Sequence, residues 1–316
     1  MRDKCDVNWI CDDRGANAFA GKVVWDPVHS FWNGSMLLAA LILGPLFFTL
    51  PAFLVFIALT GLFVLLGHSV GFHRLLIHGS FRTTRPVERF LIWCGTVAGM
   101  SGPLWIVRTH DLRDWAQRQP RCHPYLSHGE SMLRDAWWQM HCRLDLQNPP
   151  DFDLSEIEAK PLYRFFERYW MAQQLPVAAI LYLSGGWSFV IWGVCARVAI
   201  TVHGHWFVGY LAHNRGPQSY LVRQAGVQAY DVPWAALPTM GEAWHNNHHA
   251  YPGSARIGLL PGQSDWGYIF IRQLEKVGLA WDVCLPADMP ERDGKLIALS
   301  DHGETSRSGP IAGIDI

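Results

Sequence analysis

Residues 36–67 read MLLAALILGPLFFTLPAFLVFIALTGLFVLLG, without a single ionisable side chain. One helix of that length would run for about 48 Å, too long for a hydrocarbon core of about 30 Å. Pro45 and Pro51 sit near the middle of the wider segment 31–70, so two spans joined by a turn fit better than one. The stretch predicts a helical hairpin in lipid. A second charge-free run extends from Tyr169 to Ala196, has Ser184, Gly185 and Gly186 at its centre, and stays apolar past Arg197. It predicts a second hairpin, in which Arg197 needs a partner or an interface. Spans are expected near 31–50, 52–70, 165–184 and 187–208.

A third apolar run, 90–107, carries no charge but is punctuated by Gly95, Gly99, Gly102 and Pro103. If it crossed the membrane, the histidines before it and those after it would lie on opposite faces and could never share a metal. It is therefore read as interfacial or buried against protein.

The rest of the composition agrees. Of 316 residues, 17% are charged and 50% hydrophobic, against about 25% charged in a soluble domain. The net charge of −1 supplies no footprint for nucleic acid, despite 16 tryptophans. The seven cysteines (Cys5, Cys11, Cys94, Cys122, Cys142, Cys195, Cys284) are scattered, odd in number and never form CxxC. That argues against a disulfide scaffold, thiolate zinc sites and iron–sulfur clusters. MRDKCDVNWICDDRG at the N-terminus lacks the apolar core of a cleaved signal peptide, so the spans are expected to direct insertion. Neither hairpin tip carries Lys or Arg, whereas both termini and the segment 74–168 carry many. The positive-inside rule puts the tips outside and the chemistry in the cytoplasm. Trp25, Trp32, Trp105, Trp170 and Trp187 fall near span ends, where an aromatic belt or ordinary core positions fit equally.

The predicted fold class is all-α: an integral membrane four-helix transmembrane bundle with a helical cytoplasmic cap holding a histidine-rich metal site. The expected organisation is a cytoplasmic N-terminal segment over residues 1–30, a membrane domain over 31–284, and a polar, loosely ordered C-terminal tail over 285–316.

Histidines carry the chemistry. His73 and His78 form HRLLIH directly after the first hairpin; His245, His248 and His249 form HNNHH in GEAWHNNHHAYP. Positions i, i+3 and i+4 share a helical face, so a helical HNNHH is expected to aim three imidazoles at one point. His73 and His78, at i and i+5, need a helix end or a π-bulge to meet. Imidazole suits iron, zinc, copper and nickel. Five histidines in two tight clusters beside inferred spans favour ligation over satisfied core positions.

The order HRLLIH, a central cluster, then HNNHH, with spans between, resembles the membrane-bound fatty acyl desaturases, most closely the acyl-CoA desaturase branch. GHSVGFHRLLIHGSFRTTRPVERF looks like the first box of that family with its flanks, and GEAWHNNHHAYPGSARIG like the third. DWGYIFIRQLEKVGLAWDV resembles the amphipathic segment that follows, and His213 in WFVGYLAHNRG occupies the position of an additional ligand. The resemblance covers about residues 20–284. It implies two irons held by His73, His78, His110, His213, His245, His248 and His249, molecular oxygen as co-substrate, and a fatty acyl thioester or lipid in an internal tunnel. No catalytic residue beyond the metal ligands is implied.

The central box departs from the family's HxxHH. Here it reads HDLRD, with Arg113 and Asp114 where two imidazoles are expected. A guanidinium cannot coordinate a cation, whereas a carboxylate can. Gly209 also stands where the acyl-CoA branch typically has an asparagine. Three readings stand open. In the preferred one Asp114 replaces an imidazole while Arg113 turns away or pairs with a carboxylate. Alternatively His123 and His128, in HPYLSH, supply missing ligands, or one metal position is weakened. Glu242 is a candidate acceptor for orienting a histidine, and Arg108 a candidate for an anionic head group.

The resemblance implies an oxygen-dependent desaturase: two hydrogens leave adjacent carbons, and two electrons from an external donor help reduce oxygen to water. Unactivated C–H bonds demand such redox chemistry. The chain carries no GxGxxG, so a separate electron-donor protein is expected, docking on basic residues such as Arg118, Arg121 and Arg134. The rivals are a related membrane di-iron hydroxylase, a membrane zinc hydrolase, and a non-catalytic lipid-binding relative.

Overall fold

In the computed structural model, which describes residue 5 and residues 8–289 and 295–299, Asp26 opens the first long helix. Its carboxylate accepts from the N–H groups of Val28 and His29 at 3.1 and 3.2 Å, and Pro27 takes the first position, where a missing N–H does no harm. This helix, α1 (Pro27–Leu46), ends at Phe47. Thr49 then caps α2 (Leu50–Leu62), its hydroxyl accepting from Ala52 N–H at 3.2 Å. The turn of the first hairpin thus falls between Pro45 and Pro51.

α2 continues without a break into Phe63–Ile77, which winds as a π-helix. Together Leu50–Ile77 makes 28 residues, with an 18-residue stretch of mean hydropathy 2.5, long and apolar enough to cross a membrane. So is Met171–Ala212, 42 residues with an 18-residue stretch of mean hydropathy 1.6. Inside the latter, Gly185 and Gly186 leave helical geometry; Gly186 takes φ of 64°, a left-handed backbone that favours glycine. The break sits at the centre expected for the second hairpin. α3 (Arg85–Ala98) and α4 (Pro103–Arg118) form a pair bent by 77° across Gly99–Gly102. Counting that pair as one span gives three. The chain is multi-pass by these criteria, although a discrete four-helix transmembrane bundle does not separate from the rest of the helical body.

Apolar side chains point outward along these helices. α2 buries only Ala52, while Phe31 and Leu46 are each 75% exposed and Leu183 is 86% exposed. Such a surface is tolerable in lipid and a liability in water. Among the tryptophans near span ends, Trp25 and Trp187 are exposed, whereas Trp32 and Trp170 are buried against each other.

The interior lies between the π-helical segment and α3, where Leu66, Val70, Leu91, Cys94 and Val97 pack. The backbones approach so closely that a Cβ on Gly71 would stand 2.5 Å from Leu91 O, and one on Gly67 would strike Cys94 O. Arg197 is fully buried and satisfied without a carboxylate. It donates to Gly193 O and Val97 O, each at 2.8 Å, and to Gln174 Oε1, with the Phe63 ring beneath its guanidinium.

Three sequence expectations need correcting. The fold is largely rather than wholly α-helical: among the described residues, four short antiparallel pairs join Ile10–Asp12 to Asp151–Phe152, Gly21–Trp25 to Cys142–Leu146, Arg82–Thr83 to Ala280–Trp281, and Tyr220–Val222 to Leu296–Ala298. Strands of two to five residues carry too few alternations to show as a period. The last pair also returns part of the C-terminal tail to the domain; residues 300–316 lie outside the described residues. Finally, Cys5 and Cys284 form a disulfide, hidden from spacing arguments because its partners come from opposite ends of the chain.

Candidate metal centre

The π-winding of residues 63–77 aligns the first box. His78 N–H donates to His73 O at 3.1 Å, an i to i+5 bond that sets the two rings 4.8 Å apart. The bend between α3 and α4 returns His110 to the same place, 5.2 Å from the His73 ring and 4.9 Å from that of His78. His248 completes the group at 4.5 and 4.9 Å from the same two rings. One donor atom from each of His73, His78, His110 and His248 lies within 4.8 Å of all the others.

His213, which caps the helix Arg197–Ala212, forms a second such group with His245 and His249. The Nε2 atoms of His213 and His245 are 3.3 Å apart, and those of His245 and His249 are 3.1 Å apart. The expectation that HNNHH aims three imidazoles at one point is therefore corrected. At 3.6 residues per turn, adjacent His248 and His249 diverge by about 100°, so the helix His245–Ala250 gives His248 to one group and His245 and His249 to the other.

Both groups fit metal ions. Among the described residues, Nε2 of His78 and both ring nitrogens of His248 are buried without a hydrogen-bond partner, and a metal would take one of the two on His248; His110 Nδ1 lies 3.7 Å from Asp111 Oδ1. Such orphaned atoms are costly in a protein interior and ordinary on a metal. Burial lowers His213 well below the usual imidazole range; it lowers His245 to about 4, with Asp114 opposing and His110 adding to the shift. Both rings are neutral near pH 7, the state a metal requires.

A buried ion network fixes the first group from behind. Glu242 Oε2 lies 2.5 Å from His73 Nδ1, leaving Nε2 of that ring for the group. The other Glu242 oxygen receives the Arg74 guanidinium and, at 2.5 Å, the Ser69 hydroxyl. Arg74 also donates to Asp265 at 2.8 Å and to Ala255 O at 2.8 Å. Asp265 accepts in turn from Ile257, Gly258 and Tyr268 N–H groups. One network thus joins the first box to both flanks of the third. Sequence reasoning named Glu242 but missed Arg74 and Asp265. The signal available was a permanent cation inside HRLLIH, at the edge of a charge-free run. It also missed His68, whose ring stacks 6.3 Å from that of His73, and His205, whose ring lies 4.7 Å from that of His68.

Around the second group, Asp231 Oδ1 accepts from Asn246 N–H at 2.9 Å, and burial pushes its carboxyl up to about 6. Asn246 donates onward to Tyr220 O and Ala229 O, which pins the short helix.

In the altered second box, Arg113 turns away from both groups. It contacts His128 Nε2 and donates to Gln139 Oε1 at 2.7 Å, with no carboxylate partner for it among the described ion pairs. Asp114, one turn after His110, interacts electrostatically with His110, Arg118, His78 and His245, so it faces residues of both groups while belonging to neither tight set. His128 stacks on His213 at 5.2 Å and donates from Nδ1 to Asp135 at 2.8 Å. His123 caps a short turn by accepting from Tyr125 N–H, away from either group. Arg108 is exposed, with its guanidinium over the Phe152 ring.

Outward-facing apolar helices and two buried imidazole groups define a multi-pass membrane protein with a histidine-rich metal centre. The fatty acid desaturase family model matches residues 48–256, and the chain belongs to that family. An sn-1 stearoyl-lipid 9-desaturase of Anabaena variabilis is 33% identical over 80% of this chain and 94% of its own length. An sn-2 palmitoyl-lipid 9-desaturase of Nostoc sp. (strain 36) is 32% identical over 77% of this chain and 85% of its own. An acyl-CoA C20 Delta5-desaturase of Anemone leveillei is 29% identical over 86% of this chain and 88% of its own. The activity is oxygen-dependent desaturation of fatty acyl chains in a membrane, at a histidine-cluster active site of the di-iron type.

Proposed function

We propose that His73, His78, His110 and His248 hold one iron and His213, His245 and His249 the other, with Asp114 as the carboxylate that takes over from a missing second-box imidazole. The observation that carries this reading is the convergence of seven histidines from distant segments into two groups, the first of which holds buried nitrogens of His78 and His248 without a hydrogen-bond partner. When bound, an iron pair supplies the oxidising power, drawn from oxygen, that unactivated C–H bonds require. The chain's own part is positional. Glu242 fixes the His73 ring, Arg74 neutralises Glu242 and Asp265, and burial keeps bulk water from the donors.

The bundle is proposed to span four times, near 31–50, 52–70, 165–184 and 187–208, with the hairpin tips outside and the histidine groups and both termini on the cytoplasmic side. The buried positions of Cys5 and Cys284 shield their disulfide from reductants on that side. Two electrons per double bond come from a separate donor protein, for which the exposed Arg121 and Arg134 offer a basic face. His213 supports an acyl-CoA substrate, although relatives of similar identity carry both coenzyme A and lipid names.

Fatty acid profiling of an expression host tests the proposal. The wild-type chain is expected to raise one monounsaturated product, and Asp114→Ala to abolish it. Hydroxylated lipid without a new double bond would make the protein a hydroxylase. Labelled acyl-CoA offered to isolated membranes, with immediate analysis of thioester and lipid fractions, separates the two acyl carriers.

A further inference from the structure

The first histidine group contains four imidazoles and the second three. Besides Asp114, a fully buried amide side chain faces the shorter set. Gln117 follows His110 and Asp114 on the same face of α4, at i, i+4 and i+7, and is 1% exposed. Its Oε1 lies 3.2 Å from His213 Nε2.

Hydrogen bonding decides which atoms meet there. Gln117 Nε2 donates to Leu126 O at 2.8 Å, and a flipped amide would set oxygen against a carbonyl oxygen. His213 Nδ1 lies 2.8 Å from Gly209 O; a carbonyl only accepts, so the ring N–H is there and Nε2 presents its lone pair. Two acceptors therefore face each other in a buried place, with His245 Nε2 a further 3.3 Å from His213 Nε2. Lone pairs so arranged repel unless positive charge lies among them. Donors held at about 2.1 Å from one tetrahedral metal stand roughly 3.0–3.5 Å from one another, which is the spacing found.

We infer that Gln117 Oε1 is a donor of the second group beside its three imidazoles and in addition to the Asp114 carboxylate, a carboxamide oxygen in place of the imidazole lost at Arg113. The inference rests on reading the histidine groups as iron sites. His128 is not that donor, since Arg113 meets its Nε2 and Asp135 takes its Nδ1–H. A carboxamide is neutral like imidazole, so the charge of the set is unchanged. Its oxygen is the harder and weaker ligand, which leaves this iron the more easily removed of the two.

Full-length protein, purified in detergent from cells grown on iron-57, tests this by metal analysis and Mössbauer spectroscopy. The wild type is expected to hold about two irons per chain and Gln117→Ala about one, with the signal of the first group retained. Gln117→Glu keeps a donor oxygen while losing the N–H to Leu126, and is expected to keep both irons with a changed quadrupole splitting for one. Two irons and an unchanged spectrum in Gln117→Ala would overturn the inference. Loss of the second iron in Gln117→Glu would overturn it too, by showing that the bond to Leu126 is what matters. If Gln117→Ala loses all its iron, Gln117→Glu decides by the same two outcomes. A wild type that binds zinc in place of iron would instead refute the underlying iron reading.

Discussion

Glu242 shows how much a single side chain does behind the metal groups. One oxygen contacts the His73 ring and the other the buried Arg74 guanidinium. Glu242→Gln is expected to weaken iron binding or turnover by about 10- to 100-fold, as for other residues that orient metal-bound histidines. Iron titration of the apoprotein measures the affinity, and an unchanged affinity would show that His73 needs no support. His248 has a simpler position: both its nitrogens are buried without a partner. His248→Ala should empty the first group and abolish double-bond formation, while iron at the second group persists in metal analysis. At this scale the sequence was informative wherever a ligand sits in a short motif. Arg113 is the counterexample. That it cannot bind a cation follows from its chemistry, but its turn toward His128 and Gln139 depends on residues 120–139 folding back over α4, which no local spacing encodes.

The π-helical segment is the element on which the site depends. The five-residue offset of His73 and His78 is legible as a demand for unusual winding, and the i to i+5 bond between them meets it. The same segment fits against α3 only because Gly67 and Gly71 lack side chains. Gly71→Ala should overpack that contact and destabilise the protein by roughly 1–3 kcal/mol, seen as a lower thermal midpoint in detergent. Arg74→Gln would leave Glu242 and Asp265 buried without their cation, at a cost of about 3–5 kcal/mol. A midpoint unmoved by Arg74→Gln would mean the network contributes nothing to joining the boxes. The third box was read too simply, because three residues on one face of a helix still diverge enough to serve two centres.

Over the whole molecule, missing charge located the lipid-facing helices, and Gly185 with Gly186 marked the break in the second long one. The short strand pairs and the disulfide were not legible, since each joins segments far apart in sequence. Five cysteines remain free. Alkylation of the unfolded, unreduced chain should therefore label five thiols, with all seven labelled after reduction; seven labels before reduction would refute the pairing. The central claim is that the two histidine groups form an iron site for oxygen chemistry. Counting iron and zinc per chain in protein purified from cells supplied with both metals tests it most directly. About two irons and little zinc are predicted; stoichiometric zinc without iron would contradict the account.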